Sequence, residues 1–328
     1  MTLIKEIHQY LAEEITAINK LIESSLFTKE NLIQKIGLYL ANAGGKRMRP
    51  MLTLLTAKIF DYNGEHAIKL ATSIEFIHMA TLLHDDVVDG STLRRFIPTA
   101  NSLWGDKASI LVGDFLFSQS FKLIVSTQNQ RALEILSNSS SIISEGEVAQ
   151  LSKLKEKKII TKDEYYKLIQ AKTAELFSAA CEVGAVVAGH NKEAEFFKEF
   201  GLQLGIAFQI SDDSLDYFGK SDKLGKNLGD DFYEGKVTLP LIILSHKLSH
   251  EEHQQLVSMI NSDIRTAKDF MWVKTQLENH QIMTLIQQEL NLVKDKAIKS
   301  IKDLNLDDNL PLNYLIGLLN YSVDRINL

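Results

Sequence analysis

The chain has 328 residues, of which 45% are apolar and 24% charged, as in an ordinary soluble globular protein. It contains four prolines, whereas average usage predicts ~16. Because proline ends helices, this scarcity predicts a mostly helical fold. The composition also excludes the collagen-like, disordered and disulfide-scaffold classes.

The net charge limits which ligands the protein can bind, and the cysteine content indicates the compartment in which it works. The net charge is −6 and the pI is about 5.9, whereas a nucleic-acid-binding protein is usually basic. The single cysteine, Cys181, allows no intrachain disulfide and no zinc pattern of paired cysteines. No apolar run approaches the ~18 residues that span a bilayer, and the first helix lacks the features of a signal peptide. We therefore expect a cytoplasmic protein that holds anionic ligands through local basic clusters or metal ions.

From the N-terminus onward, apolar residues recur at a spacing of three and four, beginning with Leu11, Ile15 and Ile18. We find neither alternating strand patterns nor repeats or flexible linkers. The expected breaks between helices lie at residues 43–49, 90–99, 219–229 and 305–311. We predict an all-α protein with a single domain over residues 1–328.

The first break, GGKRMRP, joins two glycines to three basic residues, Lys46, Arg47 and Arg49. Glycine lets a backbone approach a ligand closely, and a Lys/Arg pair suits phosphate oxygens. A basic loop alone is weak evidence of a binding site, because most basic loops are simply solvated. Only the charged clusters later in the chain make this loop a candidate phosphate-binding site.

Two later segments share the pattern Asp-Asp-x-x-Asp. The first, LLHDDVVDG, contains Asp85, Asp86 and Asp89, and the second, FQISDDSLDY, contains Asp212, Asp213 and Asp216. Residues four apart lie on one face of a helix, where like charges are destabilising unless a cation lies between them. One such triplet would more simply be a solvated acidic face. Two triplets, both set in apolar sequence, favour divalent metal binding, because buried carboxylates must be paired or metal-bound.

Polar residues extend these clusters. His78 lies two helical turns before Asp85, and Gln209 lies three and seven residues before Asp212 and Asp216. Further basic and hydroxyl residues are Arg94, Arg95, Lys172, Thr173, Lys226 and Lys236. Together these clusters predict a pocket for two diphosphate groups. The sequence contains no nucleotide-binding glycine loop, GxSxG elbow or HExxH motif, so those enzyme classes lack support.

The motifs, in their order and spacing, resemble those of the trans-isoprenyl diphosphate synthases, or polyprenyl synthetases. The resemblance covers nearly the whole chain, from GGKRMRP through EFIHMATLLHDDVVD, GEVAQL, AKTAELF, FQISDDSLD and GKVTLP to YLIGLLNYSVDR. It implies an isoprenoid-synthase-type helical bundle around a large central cavity, and a homodimer. It also implies prenyl transfer between isopentenyl diphosphate and an allylic diphosphate such as farnesyl diphosphate, with a transient membrane contact for product release.

The resemblance implies a role for each candidate residue. The ligands of two or three Mg²⁺ ions would be Asp85, Asp89, Asp212 and Asp216. The contacts of the allylic diphosphate would be Arg94, Lys172, Thr173, Gln209, Lys226 and Lys236. The pocket for isopentenyl diphosphate would contain Lys46, Arg49, His78 and Arg95. The catalytic set would be both aspartate triplets, including Asp86 and Asp213, together with Arg94 and Lys172.

The implied mechanism is ionisation, condensation and elimination. Basic side chains, with Mg²⁺, would take up the negative charge that develops on the leaving diphosphate. The double bond of isopentenyl diphosphate would then attack the allylic carbon, and a proton would be lost. This chemistry needs no enzyme nucleophile, in agreement with the absence of a triad motif.

Product length would depend on the residues beneath Asp85. Ala80 and Thr81 are small, and Ile77 continues the same direction down the helix. Ordinary core packing is one explanation of these small residues, and an open tunnel is the other. The candidate tunnel stops are Phe117 and Phe121. We expect a product of C40 or close to it, as in bacterial enzymes that make the side chain of ubiquinone or menaquinone.

The main alternative is a geranylgeranyl (C20) diphosphate synthase, which shares every catalytic motif. A terpene cyclase usually lacks the second complete aspartate motif and GGKRMRP. A non-catalytic subunit would have eroded aspartates, and a purely structural protein would leave the matched motifs unexplained.

Overall fold

The computed structural model describes residues 2–94, 97–156, 158–219, 228–302, 304, 306 and 309–327. Almost all of the regular structure in these residues is helical, which confirms the all-α prediction. Arg95 and Lys226 lie outside the described residues. The chain forms two compact units, each described below by itself. The expectation of one domain stays a prediction.

The helices follow one another in chain order. They are α1 (Leu3–Tyr10), α2 (Ala12–Leu26), α3 (Asn31–Asn42), α4 (Met48–Ile59), α5 (Glu65–Val88), α6 (Ala100–Trp104), α7 (Asp106–Ser126), α8 (Gln130–Glu156), α9 (Lys162–Ile169), a π-helical turn (Gln170–Ala174), α10 (Glu175–Val187), α11 (Ala194–Phe218), α12 (Asp230–Glu234), α13 (Leu239–Ser245), α14 (His250–Asn261), α15 (Ala267–Asn279), α16 (Ile282–Lys302), α17 (Leu310–Asp324) and a final 3₁₀ turn (Arg325–Asn327). The break at 43–49 is confirmed, and so is the break at 90–99 over its described residues. Of the break at 305–311 the structure describes only residues 306 and 309–311, and a helix begins at Leu310. Most of the break at 219–229 lies outside the described residues.

A short antiparallel ribbon interrupts the helices, contrary to the absence of strands in the sequence analysis. It consists of β1 (Leu93–Arg94) and β2 (Ile97–Pro98), in which Leu93 pairs with Pro98 and Arg94 with Ile97. Strands of two residues are too short to show an alternating pattern, which explains why the sequence did not reveal them.

The first unit consists of Met1–Ser140, Leu176–Gly201 and Ser300–Leu318. Helix α5 forms its core: it packs against α2, α4 and α7 and is buried over most of its length. Helices α4 and α10 also approach closely, because a Cβ atom on Gly184 would lie 2.6 Å from the carbonyl oxygen of Thr53. The Thr53 hydroxyl donates to the Ala180 carbonyl at 3.0 Å, which satisfies a polar group in this apolar contact.

Helix α7 is long and apolar enough, by length and composition, to cross a membrane. A window of 18 residues has a mean hydropathy of 1.4, and 33% of it is buried. Its sequence contains no long uninterrupted apolar run, because Ser and Gly residues and the charged residues Asp114 and Lys122 break it. A core helix of a soluble protein meets the same criteria, and α7 packs along α5 with Val112 and Leu116 buried.

The second unit consists of Ser141–Glu175, Leu202–Lys299 and Leu319–Leu328. Helix α11 is tied to α17 by the Ser211 hydroxyl, which donates to the Ser322 carbonyl at 2.6 Å. The buried ring of Phe270, on α15, packs against Phe232 and Tyr217. These contacts fix the position of the part of α11 that contains the second aspartate motif.

Candidate active site

The first aspartate motif lies at the C-terminal end of α5 in the first unit. The Asp89 amide donates to the Asp85 carbonyl at 2.8 Å, so the helical turn continues through the motif. Asp85 and Asp89 therefore lie on one face, as predicted, and both are partly exposed. Beside them, the His84 Nε2 atom donates to the Ile110 carbonyl of α7 at 3.2 Å, which fixes the end of α5.

The middle aspartate of this motif has a different environment. Asp86 is 2% exposed, and its Oδ1 atom accepts from Arg94 Nε at 3.0 Å and from Arg94 Nη2 at 2.7 Å. The Asn101 amide donates to the Asp86 carbonyl at 3.2 Å and to the Ser91 carbonyl at 3.1 Å. Asp86 thus orients the Arg94 guanidinium and anchors the ribbon that follows the motif, and its assignment to the catalytic set stays a prediction.

The basic loop between α3 and α4 contains a buried ion pair that the sequence did not reveal. Arg47 has a left-handed backbone, with φ of 50°, and its Nη2 atom donates to the Ala41 carbonyl at 2.9 Å. Its Nη1 atom pairs with Glu75, a residue of α5 that is only 6% exposed. Lys46 is exposed, and its carbonyl accepts from His8 Nε2 at 3.1 Å.

Arg49 lies in the first turn of α4 and differs from Lys46 and Arg47 in the loop before it. Its guanidinium lies 4.5 Å from the centre of the Phe177 ring, and its buried Nε atom donates to no acceptor among the described residues. Desolvation lowers the pKa of Arg49 to about 10, although the nearby charge of Glu75 acts in the opposite direction. The arginine stays charged at neutral pH, so it presents a desolvated cation with an unused donor.

The other predicted residues of the first unit lie on α5 and α7. His78 is partly buried, and its carbonyl accepts from the Thr81 hydroxyl at 2.8 Å. Ile77 and Ala80 are fully buried. The rings of Phe117 and Phe121 form an edge-to-face pair with centroids 5.3 Å apart. The structure therefore places the predicted chain-length residues on two helices that pack against each other.

In the second unit, the π-helical turn contains Lys172 and Thr173. A π turn widens the helix locally and is frequent at functional sites. The Thr173 hydroxyl donates to Gln209 Oε1 at 2.7 Å, and Gln209 Nε2 donates to Asp213 Oδ1 at 2.7 Å. Gln209 therefore bonds to the middle aspartate of the second motif, whereas its spacing had suggested Asp212 and Asp216.

Asp213 is the centre of this network. The Tyr165 hydroxyl donates to Asp213 Oδ2 at 2.6 Å, and the carboxyl is only 5% exposed. Burial, followed by the charge of Asp231, raises the pKa of Asp213 to about 8, although the hydrogen bonds from Tyr165 and Gln209 act in the opposite direction. Near neutral pH the folded protein therefore holds a proton on this carboxyl that the unfolded chain would release.

This raised pKa predicts a pH dependence of stability. The contribution of Asp213 is fully present below its unfolded pKa, ~4, and is lost as the pH rises towards about 8. We expect Asp213→Asn, which keeps the neutral form, to reduce the fall in melting temperature between pH 4 and pH 8. Thermal unfolding in metal-free buffer with a chelator measures this difference. Equal pH slopes for the two proteins would contradict it.

The outer aspartates of the second motif are also held by the protein. Asp212 Oδ1 accepts from Arg325 Nη2 at 3.2 Å, and the Arg325 guanidinium stacks 4.5 Å from the centre of the Phe208 ring. Asp216 is fully buried, and its Oδ2 atom accepts from the Asp231 amide at 3.1 Å. Asp216 thus also supports the start of α12.

A cavity of about 160 Å³ within the second unit brings several predicted residues together. Its lining includes four of the residues assigned to the allylic diphosphate, namely Lys172, Thr173, Gln209 and Lys236, and also Asp213. Tyr165, Lys153 and Lys158 line the same cavity and were not predicted. Tyr165 lies in no motif used above, so only its contact with Asp213 reveals it.

The donor chemistry agrees with divalent metal binding at the first motif. In the described parts of the chain, no three His, Cys, Asp or Glu side chains converge to hold a metal ion by themselves. Two partly exposed carboxylates on one helical face, such as Asp85 and Asp89, are the ligands that Mg²⁺ takes when phosphate oxygens and waters complete its shell. The residues present therefore fit a metal that binds together with a phosphate-containing ligand.

Comparisons with known proteins identify the family. The family model described as Polyprenyl synthetase matches residues 30–277. The octaprenyl diphosphate synthase of Escherichia coli (strain K12) is 37% identical over 98% of this chain and 99% of its own length. The crystal structure of a decaprenyl diphosphate synthase from Rhodobacter capsulatus is 41% identical, with a TM-score of 0.91 over 98% of this chain and 99% of that one.

A second solved structure is a polyprenyl synthase from Caulobacter crescentus CB15 in complex with calcium and isoprenyl diphosphate. It is 38% identical, with a TM-score of 0.91 over 98% of this chain and 97% of that one. The chain belongs to the polyprenyl synthetase family, and the resemblance found in the sequence is confirmed. Like its relatives, it is a prenyltransferase.

Proposed function

We propose that the chain is a long-chain all-trans polyprenyl diphosphate synthase, with a product of C40 or close to it. It condenses isopentenyl diphosphate onto an allylic diphosphate such as farnesyl diphosphate. The observation that carries this proposal is the cavity of the second unit, where Lys172, Thr173, Gln209 and Lys236 come together. The octaprenyl and decaprenyl names of the relatives support a long product.

In this proposal each charged side chain has a role that follows from its chemistry. In the second unit, Lys172 and Lys236 bind the allylic diphosphate through charge-assisted hydrogen bonds. In the first unit, Asp86 orients the Arg94 guanidinium, and desolvated Arg49 offers its unused Nε donor to isopentenyl diphosphate. Lys172 and Lys236 lower the barrier because they stabilise the charge that the leaving allylic diphosphate gains as its C–O bond breaks.

The proposed cofactor is Mg²⁺, as two or three ions. Asp85 and Asp89 would hold it in the first unit, and Asp212 and Asp216 in the second. When bound to a diphosphate, Mg²⁺ acts as a Lewis acid that neutralises phosphate oxygens. The calcium in the Caulobacter crescentus complex supports a divalent ion in this family.

We propose that the buried stretch of α5 before Asp85 limits product length. Ala80 lies five residues before Asp85, which is about 7.5 Å along the helix axis. We propose that its small side chain lets a prenyl chain pass there, so that the product exceeds C15. A geranylgeranyl (C20) product is the second candidate, because its synthases share the same motifs.

We expect Ala80→Phe to shorten the product by several isoprene units, because the ring would fill the space beneath Asp85. Chromatography of the dephosphorylated products after incubation with farnesyl diphosphate and labelled isopentenyl diphosphate measures the length. Ala67→Phe is the matched control, since Ala67 is also buried on α5 but lies about three and a half turns further from Asp85. It should lower stability without changing product length. Unchanged length in Ala80→Phe would refute the tunnel.

We also propose a cytoplasmic homodimer that contacts membranes transiently to release its product, which serves as a quinone side chain. The exposed apolar residues of α7, namely Ile110, Leu111 and Val125, support an apolar surface for one of these two contacts. Analytical ultracentrifugation should show twice the chain mass of 37.0 kDa. A monomer at micromolar concentration would refute the dimer.

One experiment tests the proposed function as a whole. The pure protein is incubated with Mg²⁺, labelled isopentenyl diphosphate and, in separate reactions, geranyl, farnesyl and geranylgeranyl diphosphate. We expect incorporation into products close to C40. A C20 product would select the second candidate, and no incorporation with any primer would reject the function.

A further inference from the structure

Two lysines in the wall of the second unit's cavity have no role in the site described so far. Lys153 lies near the end of α8, and Lys158 lies in the segment between α8 and α9. Both line the same cavity as Lys172, Thr173 and Asp213. In total, four lysines and two aspartates line this cavity, so its charged lining is suited to an anion.

Each lysine of the cavity pairs with a glutamate that does not itself line the cavity. The Nζ atom of Lys153 lies 2.7 Å from Glu164 Oε1, and Lys172 lies 2.9 Å from Glu147 Oε2. The other two pairs are Lys158 with Glu156 and Lys236 with Glu234. Lys172 and Lys236 are assigned to the allylic diphosphate. Lys153 and Lys158 also line the cavity and pair with a glutamate outside its lining, which indicates that they bind the same ligand.

We propose that Lys153 and Lys158 bind the phosphate oxygens of the allylic diphosphate, and that each leaves its glutamate to do so. This inference rests on the proposed function and adds two substrate-binding residues to it. Lys153 is the principal one, because its side chain is 28% exposed whereas that of Lys158 is 52% exposed. A charge contact made in a less solvated position is screened less by water.

The exchange of partner is favourable for Lys153. Its pair with Glu164 is partly exposed on both sides, and such pairs contribute little to stability. A diphosphate presents more than one negative charge to the same flexible ammonium group. The lysine can therefore turn from the carboxylate to the ligand at small cost.

Glu164 keeps its position when Lys153 moves away, because it also caps the N-terminus of α9. Its Oε2 atom accepts from the Thr161 amide at 2.9 Å, and the Glu164 amide donates to the Thr161 hydroxyl at 3.2 Å. These two bonds form the capping box of α9. The hydrogen bond from Lys153, with those from Thr161, lowers the pKa of Glu164 to about 2, so this carboxylate is ionised at neutral pH. The pair is thus a fixed anion beside a mobile cation.

The test uses inorganic pyrophosphate with Mg²⁺ as the probe, titrated by calorimetry, and the KM for farnesyl diphosphate. We expect Lys153→Gln to weaken pyrophosphate binding about tenfold and to raise KM about as much, with kcat nearly unchanged, because a charge-assisted bond is lost in ground and transition states alike. Lys158→Gln should weaken binding about threefold. The matched control is Lys162→Gln, since Lys162 pairs with Glu289 and does not line the cavity. It should change neither value.

Glu164→Gln tests the exchange in the opposite direction. Glutamine also serves in a capping box, so α9 keeps its cap. Lys153 loses the nearer of its two glutamate partners and keeps Glu156 at 3.5 Å. We expect pyrophosphate to bind about threefold more tightly. Glu252→Gln is the control, because Glu252 forms the same capping box with Ser249 on α14. It should leave binding unchanged.

A purely structural role of the Lys153–Glu164 pair would lower the melting temperature of both variants and leave pyrophosphate affinity unchanged, and this result would overturn the inference. Its failure is distinguishable from failure of the proposed function. If the wild-type protein incorporated no isopentenyl unit, the function would be rejected, while the pyrophosphate titration would still report on Lys153 and Lys158.

Discussion

Replacement of Asp85 by Asn is expected to reduce kcat by about a thousandfold, the largest effect on activity that we predict. Asn has the shape of Asp but lacks the charge that holds a divalent cation, and metal stabilisation of a leaving group contributes several kcal/mol. The turn of α5 should stay intact, because the bond from the Asp89 amide goes to the Asp85 backbone carbonyl. Single-turnover measurement of isopentenyl incorporation over a range of Mg²⁺ concentrations tests this.

Asp114→Asn is a suitable control for the Asp85 variant. Asp114 lies on α7 in the same unit, its side chain is 63% exposed, and it contacts His84 at 3.4 Å. Activity of this control should stay within about twofold of the wild-type value. If Asp85→Asn kept wild-type activity at every Mg²⁺ concentration, Asp85 would not be a metal ligand.

Replacement of Glu75 by Gln is expected to give the largest loss of stability, about 3 kcal/mol. The change leaves Arg47 with an uncompensated charge in a position where its side chain is 14% exposed. It also removes the negative charge that favours the protonated form of Arg49, so the whole basic loop loses support. Urea unfolding at neutral pH, with the midpoint and slope compared between proteins, measures the difference.

Glu65→Gln provides a control on the same helix. Glu65 pairs with Lys69 at 2.7 Å, but this pair lies on the surface of α5, where ion pairs contribute little. The control should unfold at nearly the same urea concentration as the wild-type protein. Equal stability of the Glu75 and Glu65 variants would mean that the buried pair with Arg47 is not a source of stability.

Much of the fold and the site was predictable because the relevant signals are local. The spacing of apolar residues predicts helices, and the spacing of Asp85 and Asp89 places both carboxylates on one helical face. The predicted grouping of Lys172, Thr173, Gln209 and Lys236 depended on the resemblance, since these residues are separated by up to 64 positions in the chain. The cavity of the second unit shows that they do meet.

Other parts of the site depend on contacts that local spacing does not show. Spacing pointed Gln209 towards Asp212 and Asp216, but its amide bonds to Asp213. Tyr165 and Lys153 join the site from α9 and α8 through contacts that only the folded chain makes. Nor does the segment IQAKTAELF indicate a π turn, because its composition is that of an ordinary apolar helix.

The sequence alone determined the class of the fold, the two acidic helix segments and the basic clusters of a diphosphate-binding prenyltransferase, because helix periodicity and motif spacing are properties of short stretches. The tertiary structure alone decided how the charged groups are paired, namely Glu75 with Arg47, Asp86 with Arg94 and Glu164 with Lys153, and that Tyr165 donates to Asp213. Burial, pKa and the choice of partner depend on which helices pack together. Residues that contact one another between packed helices have no fixed spacing in the sequence, so the sequence does not show which of them pair.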